Sequence, residues 1–257
     1  DKSDKSKDPA ESKPAVKLDS SKLHSQLRSG DEEQMLEALT AIAENRGTDL
    51  APLVSDVLNR GSTVKVLTLA IDTASRIKAP ALSESLAPYV RHRDSDLRRA
   101  ALRALLKTQG PAAAKALRQA LHSQDAYIRG TAASGLGSLG ATDAVDDLFA
   151  ALASNVGEAA ASIGQLCNAA QCEKLASLLG KTPFDIITGG LEQALFRPAN
   201  QVPDASKVKI VVRLRELGTA EARRYLSDVR SRWPEDGSPA VRQALESSVK
   251  GQVGVAK

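Results

Sequence analysis

Two cysteines are the residues of this chain whose spacing points most directly to chemistry. Cys167 and Cys172 are the only cysteines, and the sequence pattern places the first at the end of one helix and the second at the start of the next. A turn between antiparallel helices brings such positions within the roughly 4.4–6.8 Å Cα separation that a disulfide needs. An even number of cysteines at one turn favours an oxidising compartment. The sequence therefore predicts a disulfide, with two small apolar fillers in a reduced cytosolic protein as the alternative.

Metal ligands and catalytic groups do not come together in the sequence. The three histidines, His24, His92 and His122, each stand without a second ligand at helical spacing. The last two are expected to end equivalent helices, where a cation complements the helix dipole. The chain has no Gly-x-Ser-x-Gly elbow and no phosphate-binding glycine-rich loop. We therefore expect no catalytic, cofactor-binding or metal-binding residues, and a protein that is not an enzyme.

The middle of the sequence repeats itself every 31 residues. The segment 94–105 (DSDLRRAALRAL) is matched by 125–136 (DAYIRGTAASGL), with Asp, a branched apolar residue, Arg, Ala and Leu at equivalent positions. A period of this length holds two short helices and a turn, and it marks an array of similar units. Arg98 and Arg129 follow the repeat, and we expect each to pair with the Asp at the same turn of the adjacent unit.

Helical periodicity divides the chain into three regions. Apolar residues at three- and four-residue spacing predict successive helix pairs. The predicted helices are 31–43, 48–58, 63–77, 81–90, 94–108, 111–121, 125–139, 142–152, 159–166, 172–179, 183–196, 207–217, 219–233 and 239–249. We expect a disordered tether at 1–17, a repeat array at 18–180, and less regular repeats with a cap at 181–257. The loop at 197–204 is expected to be an irregularity of that cap, with a functional insertion as the alternative.

The repeat residues resemble those of a known family. Asp94 with Leu97 and Arg98, and Asp125 with Ile128 and Arg129, are similar to the short HEAT-like repeats of bacterial proteins, a subclass first noted in phycobilin lyases. The resemblance covers roughly 31–180 well and 206–249 loosely. It implies an all-α fold, an α-α superhelix (solenoid) of about six to seven helix pairs, with a concave surface lined by second helices. It also implies scaffold or adaptor roles.

Basic side chains are concentrated in the middle of this array. Residues 88–129 hold nine basic and three acidic side chains. Among them, Arg91, Lys115 and Arg118 fall on or at the ends of second helices, so we expect them to face the concave groove as partner-binding residues. Such a surface fits an acidic protein, a glycan or an anionic lipid head group, and a solvated basic face is the alternative.

Nucleic acid is the rival partner for a basic groove. The whole chain, however, carries 35 basic and 31 acidic side chains, and its seven aromatic residues are scattered. A site that holds an exposed, unpaired base is expected to have aromatic side chains on which the base stacks. The sequence therefore favours a protein partner over nucleic acid.

The leading hypothesis is a non-catalytic scaffold or adaptor, without a cofactor, in the periplasm or cell envelope of a bacterium. The charged, Ser- and Pro-containing stretch at 1–17 resembles the spacer that follows a lipoprotein anchor, and such an anchor would be the chain's link to a membrane. An ordinary trimmed terminus and a cytoplasmic location are the alternatives. A nucleic-acid-associated module and an enzyme of the phycobilin-lyase type are the other two functional hypotheses.

Overall fold

The computed structural model describes residues 18–250, and these residues form helices joined by short loops. The predicted tether at 1–17 and the chain end at 251–257 lie outside the described residues. The α-helices are α1 Ser20–Arg28, α2 Glu32–Asn45, α3 Ala51–Arg60, α4 Val64–Ile77, α5 Leu82–Leu86, α6 Ser95–Thr108, α7 Pro111–Ala120, α8 Ala126–Ser138, α9 Val145–Ala153, α10 Glu158–Leu166, α11 Ala169–Ala176, α12 Phe184–Leu195, α13 Asp204–Glu216, α14 Ala220–Arg232 and α15 Pro239–Lys250. The prediction of an all-α superhelix is confirmed.

The 31-residue repeat has a structural cause at the helix starts. Asp31, Thr63, Asp94 and Asp125 are the N-caps of α2, α4, α6 and α8, and each side chain accepts a hydrogen bond from backbone N–H groups of the first turn. Those N–H groups have no partner inside the helix, so the cap stabilises each start by about 1 kcal/mol. The repeated residue is therefore the one that fixes where each helix begins.

The helix ends repeat with the same period, but glycine supplies only one of them. Arg46, Lys78 and Gln109 end α2, α4 and α6 in the left-handed conformation, and Gly140 takes it after α8. The first of these ends is at Arg46, which has a positive φ of 59° although it is not a glycine. Where packing with neighbouring helices fixes the turn, a residue other than glycine can take the left-handed conformation at a small cost in strain.

The helices form two layers. In the first layer α2, α4, α6, α8, α10 and α12 follow one another, each packed on the next. The second layer contains α3, α5, α7, α9 and α11. Within it α3 packs on α5 and α5 packs on α7, while α9 packs mainly on α10 of the first layer.

The regular stacking changes after α12. Here α13 packs on α11 and α15, while α14 packs on α13 and α15. The closest helix contact in this part of the array joins α10 to α12, where Gly164 faces the backbone of Gly190. Because neither glycine has a side chain, the two helix backbones approach each other directly.

Candidate protein-binding surfaces

The three residues expected to bind a partner lie on the second layer, and their surroundings differ. Arg91 ends the 3₁₀ turn that follows α5 and is exposed, and Lys115 is exposed on α7. Arg118 forms ion pairs with Asp147 (Nε to Oδ2, 2.5 Å) and Asp143 (Nη1 to Oδ2, 3.0 Å) of the next helix pair. Arg118 thus joins neighbouring units, whereas Arg91 and Lys115 keep their cationic groups at the surface.

Arg98 and Arg129 have a different role from the expected one. The Nη1 of Arg98 donates to the carbonyl oxygens of His92 and Arg93, and the Nη1 of Arg129 donates in the same way to Ser123 and Gln124. Each arginine therefore fixes the loop that precedes its own helix. The prediction that they pair with the Asp of an adjacent unit is wrong, because the six-residue reach back to the loop satisfies the guanidinium locally.

Arg99, one residue further along α6, makes the contact between units. Its Nε and Nη2 donate to Oδ2 of Asp125 at 3.1 and 2.9 Å. This hydrogen-bonded ion pair holds the pKa of Asp125 below its usual range. The Arg99 guanidinium also lies 5.2 Å from the centre of the Tyr127 ring, a cation–π distance.

Tyr127 is an exposed aromatic side chain on the first layer. It is 45% exposed, and the Arg103 guanidinium beside its hydroxyl lowers the pKa of that group. Arg99, Arg103 and Tyr127 together are called the Tyr127 patch below. These residues were not predicted from the sequence. The four-residue spacing of Arg99 and Arg103, which places them on one face of α6, is the signal that could have identified the two arginines.

The cysteines meet at the turn between α10 and α11. Their Sγ atoms are 2.03 Å apart and their Cα atoms 5.3 Å apart, and both residues are fully buried. The Nη1 of Arg197 donates to the carbonyl oxygens of Cys167 (2.7 Å) and Gly164 (3.2 Å). The turn is thus held by a contact from a segment thirty residues later in the chain.

The loop after α12 lines a cavity of about 280 Å³. Lys207 is buried there and its ammonium group donates to the carbonyl of Arg197, while burial lowers its pKa. The Nε1 of Trp233 and one carboxylate oxygen of Asp204 are buried without a hydrogen-bond partner within residues 18–250. The loop therefore connects the cysteine turn to the C-terminal helices.

Residues 18–250 contain neither a cluster of metal-ligating side chains nor a membrane-spanning helix. In this range no three side chains of His, Cys, Asp or Glu are grouped to hold a metal ion. None of the helices described there has the length and apolar character to cross a bilayer. His92 follows the 3₁₀ turn after α5, and its Nδ1 accepts a hydrogen bond from the backbone N–H of Asp94 at 3.1 Å, which helps to order the loop.

The family comparison accounts for the repeat. A family model described as HEAT repeats matches residues 83–158 and 114–195. Residues 83–195 are HEAT-like repeats. No curated protein matches the chain.

One of the solved structures similar to this chain supports the fold with a TM-score above 0.5. An engineered protein shares 18% identity with the HEAT-like chain at a TM-score of 0.53, over 89% of this chain and 66% of the engineered one, which is just under two thirds of its length. The complex of CpcE and CpcF of phycocyanin lyase from Nostoc sp. PCC7120 is 16% identical, and the match covers 96% of this chain and 98% of that one with a TM-score of 0.45. An archaeal HEAT-like repeats protein from Thermococcus onnurineus NA1 is also 16% identical, and the match covers 89% of this chain and 84% of the archaeal one with a TM-score of 0.40. A HEAT-repeat solenoid suggests a scaffold or protein-binding role.

Proposed function

We propose that the chain is a non-catalytic scaffold that binds a protein partner through the first-layer face, with the Tyr127 patch as the central contact. The observation that carries the proposal is the exposure of Tyr127 between two arginines of the neighbouring helix. Tyr and Arg are the residue types that most often dominate binding energy at protein interfaces.

The patch is held in place before any partner binds. Arg99 is fixed by Asp125, which is itself the N-cap of α8, and the Tyr127 ring lies against Arg99. A rigid contact residue loses little conformational entropy on binding. Lys115, one of the expected partner residues, lies exposed on the other layer and serves as the comparison position.

The proposal includes a location in the bacterial cell envelope. It is supported by the two cysteines, which lie at disulfide distance, since disulfides persist in oxidising compartments. Trapping of native thiols with an alkylating reagent in the source organism tests this part. If the two cysteines react with the reagent only after reduction, the result supports the envelope location. If both thiols are alkylated without reduction, the result contradicts that location.

Partner capture tests the binding role. The tagged chain, a Tyr127→Ala/Arg103→Glu variant and a Lys115→Glu variant are each used as bait in extracts of the source organism, and bound proteins are quantified by mass spectrometry. We expect one protein to be retained by the wild type and by Lys115→Glu, and to be lost from the patch variant. Circular dichroism establishes that all three remain folded.

Equal retention by all three baits would remove the Tyr127 patch as the binding surface. Absence of any protein partner, together with retention of nucleic acid that falls steeply with salt, would contradict the scaffold itself.

A further inference from the structure

A second feature of the array is an open groove between two successive loops. It has a volume of about 640 Å³, within the usual range for ligand sites. Its walls are the end of the 3₁₀ turn after α5, the start of α6, and the end of α7 with the loop behind it. The lining residues are Val90, Arg91, Arg98, Gln119, Ala120, His122, Ser123 and Gln124.

The groove is electropositive, and none of its lining residues is acidic. Two arginines (Arg91 and Arg98) and His122 line it, together with two glutamines and a serine. The Arg98 side chain cannot swing away, because its Nη1 donates to the carbonyls of His92 and Arg93 at 2.8 and 2.9 Å. Arg98 is therefore a fixed positive charge in the wall.

Two acidic residues near the groove in sequence, Asp94 and Asp125, are already engaged. Asp94 accepts hydrogen bonds from the backbone N–H groups of Asp96 and Leu97, and Asp125 is paired with Arg99. Neither carboxylate lines the groove. The unit thus presents cations to the groove, whereas Asp94 and Asp125 cap helices and Asp125 also forms an ion pair with Arg99.

We propose that this groove binds an acidic segment of the protein partner, its side-chain carboxylates meeting Arg91 and Arg98. The inference rests on the proposed function, because it specifies the chemistry of part of that partner. Gln124 in the groove wall is three residues from Tyr127, so one partner can contact the groove and the Tyr127 patch together. A guanidinium presents a fork of donors that matches a carboxylate.

The lining favours a peptide over nucleic acid. No Phe, Tyr or Trp contributes to the walls, and single-stranded nucleic acid is held by stacking on such rings as well as by charge. Side-chain carboxylates of an extended peptide need only the hydrogen-bond donors that the walls supply.

Fluorescence anisotropy of a labelled hexaglutamate peptide at low salt tests the inference on the whole chain. The test variant is Arg91→Glu, and the matched control is Lys115→Glu, an exposed residue of the same layer outside the groove with the same change of charge. We expect Arg91→Glu to weaken peptide binding about tenfold, because reversal turns a close attraction into repulsion. Lys115→Glu should leave the affinity within about a factor of two, since its charge acts at longer, screened range.

An equal loss in both variants would mean that the peptide follows net charge, and it would overturn the inference. So would the absence of peptide binding to the wild type, or stronger binding of a single-stranded oligonucleotide in a parallel titration. If partner capture still depends on the Tyr127 patch in any of these cases, the proposed function stands without the acidic segment.

Discussion

At the scale of single residues, the arginines of the repeat hold the loops of the array in place. Arg98 and Arg129 occupy equivalent positions and make equivalent hydrogen bonds to loop carbonyls. The sequence could predict that these arginines are structural, because they follow the 31-residue period. It could not predict their partners, since a backbone carbonyl has no signature in the sequence and the adjacent Asp is the more obvious candidate.

Arg129→Ala should lower the free energy of unfolding. The substitution leaves the carbonyls of Ser123 and Gln124 without the donor that fixes them, and loss of such charged hydrogen bonds costs about 1–2 kcal/mol. Urea unfolding followed by circular dichroism measures the change. Lys115→Ala, at an exposed position of α7, is the control and should stay within about 0.5 kcal/mol of the wild type. A loss equal to that of the control would show that the loop does not depend on Arg129.

Two cap carboxylates should make the array sensitive to acid. Backbone N–H donation, first from Leu97, lowers the pKa of Asp94, and Arg99 lowers that of Asp125. The unfolded chain therefore takes up these protons at higher pH than the folded one. Their contribution is complete above the ordinary carboxyl pKa and is lost as pH falls through the lower pKa of the folded state.

Thermal unfolding between neutral pH and about pH 3 measures this effect. We expect the melting temperature to fall over the acidic part of the range, and to fall less steeply in Asp125→Asn, which lacks one of the two groups. An identical pH slope in the variant and the wild type would contradict the role given to the Asp125 carboxylate.

At the scale of the elements, close helix packing depends on where side chains are missing. Gly164 in α10 faces Gly190 in α12, and a Cβ on Gly164 would lie 1.9 Å from the Gly190 carbonyl oxygen. Gly189, the next residue back along α12, has nothing within 4 Å of such a Cβ. The two neighbouring glycines therefore offer opposite responses to the same substitution.

Gly164→Ala should destabilise the array and Gly189→Ala should not. The first forces α10 and α12 apart, and overpacking of this kind costs about 1–3 kcal/mol. The second replaces an exposed glycine inside a helix, a change worth about 0.5–1 kcal/mol in favour of alanine. Chemical denaturation of the two variants checks the difference, and equal stability would mean that α10 and α12 do not approach as closely as described.

Most helices were predictable from the sequence, and their arrangement was less so. Asp31, Asp94 and Asp125 mark helix starts in the sequence and are N-caps in the structure. Helix α1 was not predicted, because it is short and its apolar residues, Leu23 and Leu27, gain burial only against the next helices. The contact of Arg197 with the cysteine turn joins residues thirty positions apart in an irregular segment, where no repeat predicts a partner.

At the scale of the whole molecule, the two layers of the array separate two kinds of surface. The first layer carries the Tyr127 patch, while the second layer carries Arg91 and Lys115. The sequence identified the basic region that contains both. It did not select the Tyr127 patch, because the contact of Arg99 with Asp125 depends on how α6 and α8 pack rather than on the pattern within one unit.

The central claim is that a protein partner binds the first-layer face at the Tyr127 patch. A photo-crosslinking amino acid placed at position 127, and in a second sample at position 115, tests it directly in cells of the source organism. The account predicts a crosslinked partner from position 127 and none, or a much weaker product, from position 115. A crosslink to one protein from position 115 alone would contradict the account and return the binding site to the second layer.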